Sequence, residues 1–260
     1  MTAATAMRSL ERALDLLEML EHADGPRRLS DIAVGCGLPV STTQRLLNTL
    51  IARGYVDRRD NLYEIGLAVM PLAHAYLVHN PLSRAAQPAL EELSRTTEMA
   101  ASLYVRSGDA RVVLARVLGP SSPRYLFPIG QRVPLVLGAG RVLLAWDDDD
   151  EVRRVFDAAS PVIDAQGRQL DPEHLGDALA GIRRDGYYVA RSERVFGVAS
   201  VAAPVLDEHG YPRALVLTSG VDAKLTEDRL GTVRRLTVLA AGAVQQQLHR
   251  GGNRLGSLAR

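Results

Sequence analysis

The chain is 260 residues long, its hydrophobic fraction is 47% and its formal net charge is +1, which favours two domains over one core and excludes a largely disordered chain. A charge so near zero argues neither for nor against a nucleic-acid partner. No apolar run approaches the ~20 residues that cross a bilayer, residues 1–7 lack the charged-then-apolar order of a secretory leader, and the single cysteine, Cys36, excludes an intramolecular disulfide or a thiolate metal cluster. The expectation is a cytoplasmic protein with no membrane partner.

The first helix is predicted from a Ser9 cap, with Leu10, Ala13, Leu14 and Leu17 at i, i+3, i+4, i+7 on one face. It stops near Asp24-Gly25-Pro26. Ser30 is a candidate cap for a short second helix through about Cys36, and Gly37 permits the tight turn that follows. A third helix is predicted from Pro39 to about Arg53, with Gly54 at its C-terminal stop. Tyr55-Val56, a polar turn over residues 57–61 and the run Leu62 to Gly66 then read as a hairpin.

The third helix holds the functional signal. Thr43, Leu46, Leu47 and Leu50 share one face, while Ser41, Gln44, Arg45 and Asn48 share the other. Arg, Gln and Asn are the side chains that make paired contacts to base edges in the major groove. Ser41 and Thr42 fall in the first turn, where hydroxyls and free N–H groups meet phosphate. Helix, short helix, turn and amphipathic polar helix is the helix-turn-helix order, and Arg58 and Arg59 in the hairpin turn are placed for a minor groove or a phosphate. The bland alternative is a solvated face on an ordinary helix. Residues 1–66 as a whole hold 8 Arg against 9 Asp plus Glu and are not basic, but residues 39–59 hold Arg45, Arg53, Arg58 and Arg59 against Asp57 alone, which favours the DNA face without removing the alternative.

Leu67 to Val78 reads as an apolar-rich linker helix broken by Asn80-Pro81. Beyond it, helices are expected over residues 84–96, 140–147, 149–158, 173–184 and 226–250. Strands are expected over 100–106, 112–117, 124–127, 198–206 and 214–219. The acidic run Asp147 to Asp150 suits a helix start better than a cation site. The expected architecture is thus α+β, in four parts: a winged helix-turn-helix at 1–66, a linker helix at 67–82, an effector-binding α/β domain with an antiparallel sheet at 83–250, and a mobile tail at 251–260.

Several segments together resemble the IclR family of bacterial regulators. They are Ser9-Leu10-Glu11-Arg12-Ala13-Leu14, residues 38–47, Arg53-Gly54-Tyr55-Val56 and Tyr63-Glu64-Ile65-Gly66 in the first domain. In the second they are Gly140-Arg141-Val142-Leu143-Leu144-Ala145 and the stretch Gly197 to Val205. The second domain is most similar to the NdgR-like subgroup, linked with amino-acid metabolism. The resemblance implies a GAF-like effector domain, a palindromic double-stranded DNA operator, and homodimers that pair as a dimer of dimers. It implies a small-molecule effector, with a carboxylate or amino-acid-related metabolite as the expected class. By position, Ser41, Thr42, Gln44 and Arg45 inherit the DNA-contact role.

This chain departs from the family pattern at Leu135-Val136-Leu137, which is apolar, at Arg141 in place of lysine, and at Ser200 in place of cysteine. Candidate effector residues are Leu126, Ile129, Gly138, Ala139, Gly140, Arg141, Glu193, Ser200 and Ser219. Arg141 is placed either to meet a carboxylate ligand or to pair with Glu193. No histidine pair stands at metal-ligand spacing, and no nucleophile elbow, P-loop or dinucleotide fingerprint occurs. The sequence therefore points to no cofactor, no metal and no catalysis. A ligand-independent DNA-binding protein with a degenerate pocket, and a small-molecule enzyme on the second domain, are the competing readings.

Overall fold

A computed structural model describes residues 3–252, and side chains from residue 7 to residue 249. Residues 253–260 of the expected tail lie outside the described residues. The chain divides into two units, residues 1–79 and 80–260.

The first unit runs α1 (Ala3–Glu21), β1 (Arg27–Arg28), α2 (Leu29–Gly35), α3 (Val40–Ala52), β2 (Val56–Arg59), β3 (Leu62–Ile65) and α4 (Val69–His79). Its core joins Leu16 and Leu20 of α1 to Ile32, Leu47, Leu50, Val56 and Tyr63. This corrects the expected face of α1. Leu10 and Leu14 are exposed, with Met7 beside them. The residues Ala13, Leu16, Leu17 and Leu20 repeat the same i, i+3, i+4, i+7 spacing, so α1 carries two apolar stripes and periodicity cannot choose between them.

Ser30 does not cap α2. The helix begins at Leu29 because Arg27 and Arg28 are held extended by pairing with Tyr63 and Leu62 of β3, and the Ser30 hydroxyl donates to Asp31 instead. Helix α3 ends in a Schellman motif: Gly54 N–H bonds Ile51 C=O and Tyr55 N–H bonds Leu50 C=O, with Gly54 left-handed at φ 73°. The wing is a two-residue hairpin closed by the Arg59–Leu62 pair. Asp60 and Asn61 both have positive φ, 47° and 66°, the backbone of a primed turn whose twist matches its strands. The sheet order is β1-β3-β2. Helix α4 has no buried residue.

Asn80 does more than break a helix. Its side chain accepts from Leu82 N–H and Ser83 N–H, so it starts α5 (Pro81–Thr97) with Pro81 in the first turn. The second unit continues as β4 (Ala100–Ser107), β5 (Ala110–Val117), β6 (Arg132–Pro134), a 3₁₀ turn (Gly138–Gly140), α6 (Arg141–Leu144), α7 (Asp149–Ala159), α8 (Pro172–Asp185), β7 (Tyr188–Arg191), β8 (Val198–Leu206), β9 (Pro212–Val221) and α9 (Glu227–Gly252). Asp148 caps α7 by accepting from Glu151 N–H at 2.8 Å, which gives the acidic run its structural use.

All pairings in the six-stranded sheet β6-β5-β4-β9-β8-β7 are antiparallel. Side chains alternate between its faces. Ala199 and Val201 pack with Val233 of α9 on one face. Tyr104, Ala202, Leu215 and Leu217 join Leu143, Phe156, Leu175 and Ile182, from α6, α7 and α8, on the other. The expected strand at 124–127 is absent. That segment is tethered beside β5 by single bonds, Arg116 Nη1–H to Phe127 C=O at 2.5 Å and Gly130 N–H to Val113 C=O at 2.9 Å, without a ladder.

Candidate nucleic-acid interface and effector cavity

Thr43, Leu47 and Leu50 turn α3 inward, leaving Ser41, Arg45 and Asn48 exposed. Pro39 offers the first turn no side-chain cap; the Thr42 N–H is taken by the Pro39 carbonyl at 3.0 Å, so what Ser41 and Thr42 present to an anion is chiefly their hydroxyls. Gln44 differs from the fully outward position expected of it. It is half-buried, its Oε1 accepts from the Tyr63 hydroxyl at 3.3 Å, and its Nε2 donates to Asn48 Oδ1 at 2.9 Å. The wing and the reading helix are thereby joined through one amide. Sequence reasoning passed over Tyr63, a buried residue whose hydroxyl makes this link. Its only signal was an aromatic on the central strand opposite a polar helix.

In the wing, Arg58 donates to Asn61 Oδ1 and stacks over the Tyr63 ring with its guanidinium 5.7 Å from the centroid. Arg59 leans toward Glu64 at 3.5 Å with its side chain 80% exposed, a geometry that contributes little and leaves it free for phosphate.

The second unit holds a small cavity of about 50 Å³ beneath an open mouth. Leu126, Gly138, Ala139, Glu193, Ser200 and Ser219 line it together. Ser200 and Ser219 are direct cross-strand partners on β8 and β9, so two hydroxyls stand side by side on the sheet wall. Three expected residues stand elsewhere. Ile129 is exposed and outside the lining. Gly140 is required by packing: a Cβ there would lie 2.4 Å from the Leu135 carbonyl oxygen. Arg141 is buried and fully engaged: Nε donates to Val136 C=O at 3.1 Å, Nη1 to the Tyr188 hydroxyl, and Nη2 pairs Glu193 Oε2 at 3.1 Å. Of its two expected roles, the structural bridge is the one formed.

Glu193 is engaged in turn. Gly138 N–H donates to its Oε2 at 3.0 Å and the Tyr188 hydroxyl to its Oε1 at 2.7 Å. Burial, aided by the neighbouring carboxylate, pushes the Tyr188 phenol well above its usual range, so it stays a neutral donor. The cavity also takes in residues not anticipated: Tyr104, Arg111, Tyr125, Phe127, Arg194 and Leu217. Arg111 is 3% exposed, and its Nε and Nη1 have no hydrogen-bond partner among the described residues. Burial above all, with the nearby guanidiniums of Arg194 and Arg141, lowers its pKa to about 10 against the opposing pull of Tyr104 and Glu193, so it is charged at neutral pH.

A helix-turn-helix with a β wing, in one chain with an antiparallel sheet domain that holds a small cavity, is the architecture of a DNA-binding transcriptional regulator. Comparison with known proteins agrees. Residues 9–60 match the family model for the IclR helix-turn-helix domain and residues 74–246 match that for the bacterial transcriptional regulator IclR C-terminal domain. The chain belongs to the IclR family of DNA-binding transcriptional regulators.

Among its relatives is the HTH-type transcriptional repressor AllR of Salmonella typhimurium strain LT2, 31% identical over 237 residues, which are 88% of this chain and 85% of that one. AllR of Escherichia coli strain K12 is 30% identical over 230 residues, 85% and 83% of the two chains. In fold it is similar to an IclR regulator from Alicyclobacillus acidocaldarius (TM-score 0.77, 23% identity, 92% and 98% of the two chains). It is also similar to an IclR homologue from Microbacterium hydrocarbonoxydans complexed with 4-hydroxybenzoate (TM-score 0.72, 22% identity, 93% and 99%). No described helix is long and apolar enough to cross a membrane.

Proposed function

We propose that the protein binds a palindromic operator as a homodimer, or a dimer of dimers, and that a small metabolite in the second-unit cavity changes that binding. The observation that carries the reading is the outward face of α3, where Ser41, Arg45 and Asn48 stand exposed beside a wing bearing Arg58 and Arg59. Residues 1–66 read DNA, 67–82 link, and 83–250 sense. Its AllR relatives are repressors, which supports repression as the output here.

Dimer formation is supported by the exposed apolar stripe Met7, Leu10 and Leu14 on α1, and by Met70, Leu72, Tyr76 and Val78 on α4. Apolar surface of that extent gains by burial against a second copy. Two reading helices then enter successive major grooves about 34 Å apart. Effector binding acts by favouring one of two spacings, transmitted through α4.

The test is selection of genomic fragments by the purified chain, repeated with Ser41, Gln44 and Arg45 all changed to Ala. A palindromic site recovered by the parent and lost by the variant is the expected result. Enrichment of the same fragments by both would remove α3 as the reading element.

A further inference from the structure

The arginines of the first unit are not spread evenly. Residues 27–59 hold Arg27, Arg28, Arg45, Arg53, Arg58 and Arg59 against Asp31 and Asp57, while residues 1–26 hold Arg8 and Arg12 against Glu11, Asp15, Glu18, Glu21 and Asp24. The basic side of the unit is therefore α3 and the small sheet, and the acidic side is α1.

Pairing in the sheet β1-β3-β2 sorts four of these arginines onto two rungs. Arg27 and Arg58 both pair with Tyr63, and Arg28 and Arg59 both pair with Leu62. Directly paired residues point to the same side of a sheet and successive ones to opposite sides. Tyr63 is buried, so Arg27 and Arg58 share the inner face, where Arg58 is taken up by Tyr63 and Asn61. Arg28 and Arg59 share the outer face, one on each side of Leu62. Two strand spacings, about 10 Å, separate their backbones.

Both outer arginines are exposed. The Arg28 side chain makes no hydrogen bond or ion pair with a described residue, and Arg59 only leans toward Glu64 at 3.5 Å. A groove between the start of α2 and the wing turn, lined by Arg28, Leu29, Ser30, Asp60, Asn61 and Leu62, opens beside them. Its one acid, Asp60, is outnumbered by the two arginines. Charges on edge strands also discourage pairing with another sheet, but that use takes either sign on either face. Here both edges carry the same sign, on one rung and one face, in a sheet bonded to the reading helix through Tyr63 and Gln44.

We propose, on the footing of the DNA-binding role above, that β1 belongs to the DNA interface. Arg28 and Arg59 hold the sugar-phosphate backbone from the outer face of the sheet, each meeting a phosphate. The interface is then wider than the α3 surface and the wing turn. Phosphate contacts fix register and orientation without reading bases, so the pair steadies the entry of α3 into its groove and adds affinity for every sequence alike.

The test uses the full-length protein and a duplex of fixed mixed sequence. Affinity is followed by fluorescence anisotropy between about 50 and 200 mM salt, where each phosphate held contributes about 0.9 to the slope of log affinity against log salt. Arg28→Gln is expected to lower that slope by about 1 per protomer bound, with Tm and the consensus from fragment selection unchanged. Arg28→Lys keeps the parent slope, since a point charge suffices for phosphate. Arg235→Gln, the same charge change on α9, keeps it too.

A parent slope in Arg28→Gln, an equal fall in Arg235→Gln, or a fall that Arg28→Lys shares would each overturn the proposal. So would a lowered Tm in Arg28→Gln, since the arginine would then be structural, or an altered consensus, since it would then read bases. The two readings fail separately. If the variant with Ser41, Gln44 and Arg45 changed to Ala enriches the parent's fragments while Arg28→Gln flattens the slope, β1 stands and α3 falls as the reading element. If that variant loses its site while Arg28→Gln keeps the slope, the reverse holds.

Discussion

Arg45 stands exposed on α3, on a turn whose backbone is tied by the Thr49 hydroxyl to the Arg45 carbonyl at 3.1 Å. A side chain so placed discriminates bases at ~1–3 kcal/mol per good contact. Arg45→Ala is expected to weaken operator binding by that amount and to change binding to a scrambled duplex little, as read by fluorescence anisotropy on both. Equal losses would make it a phosphate contact.

Asp164 shows a different balance. Burial alone raises its carboxyl, but hydrogen bonds from Arg168 N–H, Arg168 Nε and Gln166 N–H at 2.9, 2.7 and 2.8 Å outweigh it and hold the group below the usual carboxylate range. The stability this confers is complete above the unfolded-state pKa of about 4 and is lost as pH falls through the lower folded value. Asp164→Asn should therefore be destabilised at pH 7, with the gap to the parent closing below about pH 4 in urea melts.

At this scale the sequence was partly readable. The Arg141–Glu193 pair was one of two stated alternatives, whereas Arg111 left no trace. A lone arginine on a strand has no spacing partner, and in a chain whose basic residues are all arginine except Lys224 its type carries no information.

Among the elements, helix α5 ends at Glu98, which takes the left-handed conformation at φ 61°. A side chain there costs about 1–2 kcal/mol that glycine avoids, less the entropy glycine loses on folding. Glu98→Gly is expected to stabilise the second unit by about 0.5–1 kcal/mol in denaturant melts; a loss would mean that the Glu98 side chain makes contacts worth more than the strain. Long periodic elements were legible. Strand β8 was read at its observed bounds because nine residues bounded by glycine and a polar turn leave a clear pattern. Strands β1, β6 and β7, of two to four residues, are too short to show a period. The segment 124–127 has strand-like residues and no strand, because pairing with a neighbour, invisible in one sequence, decides it.

For the molecule as a whole, the two stripes on α1 matter most. Leu16 and Leu20 hold the first unit together, while Leu10 and Leu14 are 59% and 50% exposed. Changing Leu10 and Leu14 to Glu leaves that core intact. Light scattering should show that the variant has lost its dimer, with operator affinity reduced at least a hundredfold. An intact dimer would move the interface elsewhere. The helix-turn-helix and the antiparallel sheet domain were legible from the order and spacing of the elements. The cavity was less legible, since its lining is gathered from five strands, two loops and the 3₁₀ turn.

The bond between the wing and the reading helix bears on the language of the operator. Tyr63 occupies the Gln44 acceptor, and Gln44 occupies the Asn48 acceptor. Each amide oxygen keeps a second lone pair, but the groups least engaged on that face are donors: the Arg45 guanidinium and the remaining amide N–H groups of Gln44 and Asn48. Adenine is read by an amide that offers donor and acceptor together; guanine presents two acceptors. The selected half-sites should therefore be written in guanine under α3. Tyr63→Phe, by releasing one acceptor, should let adenine into the consensus at a single position.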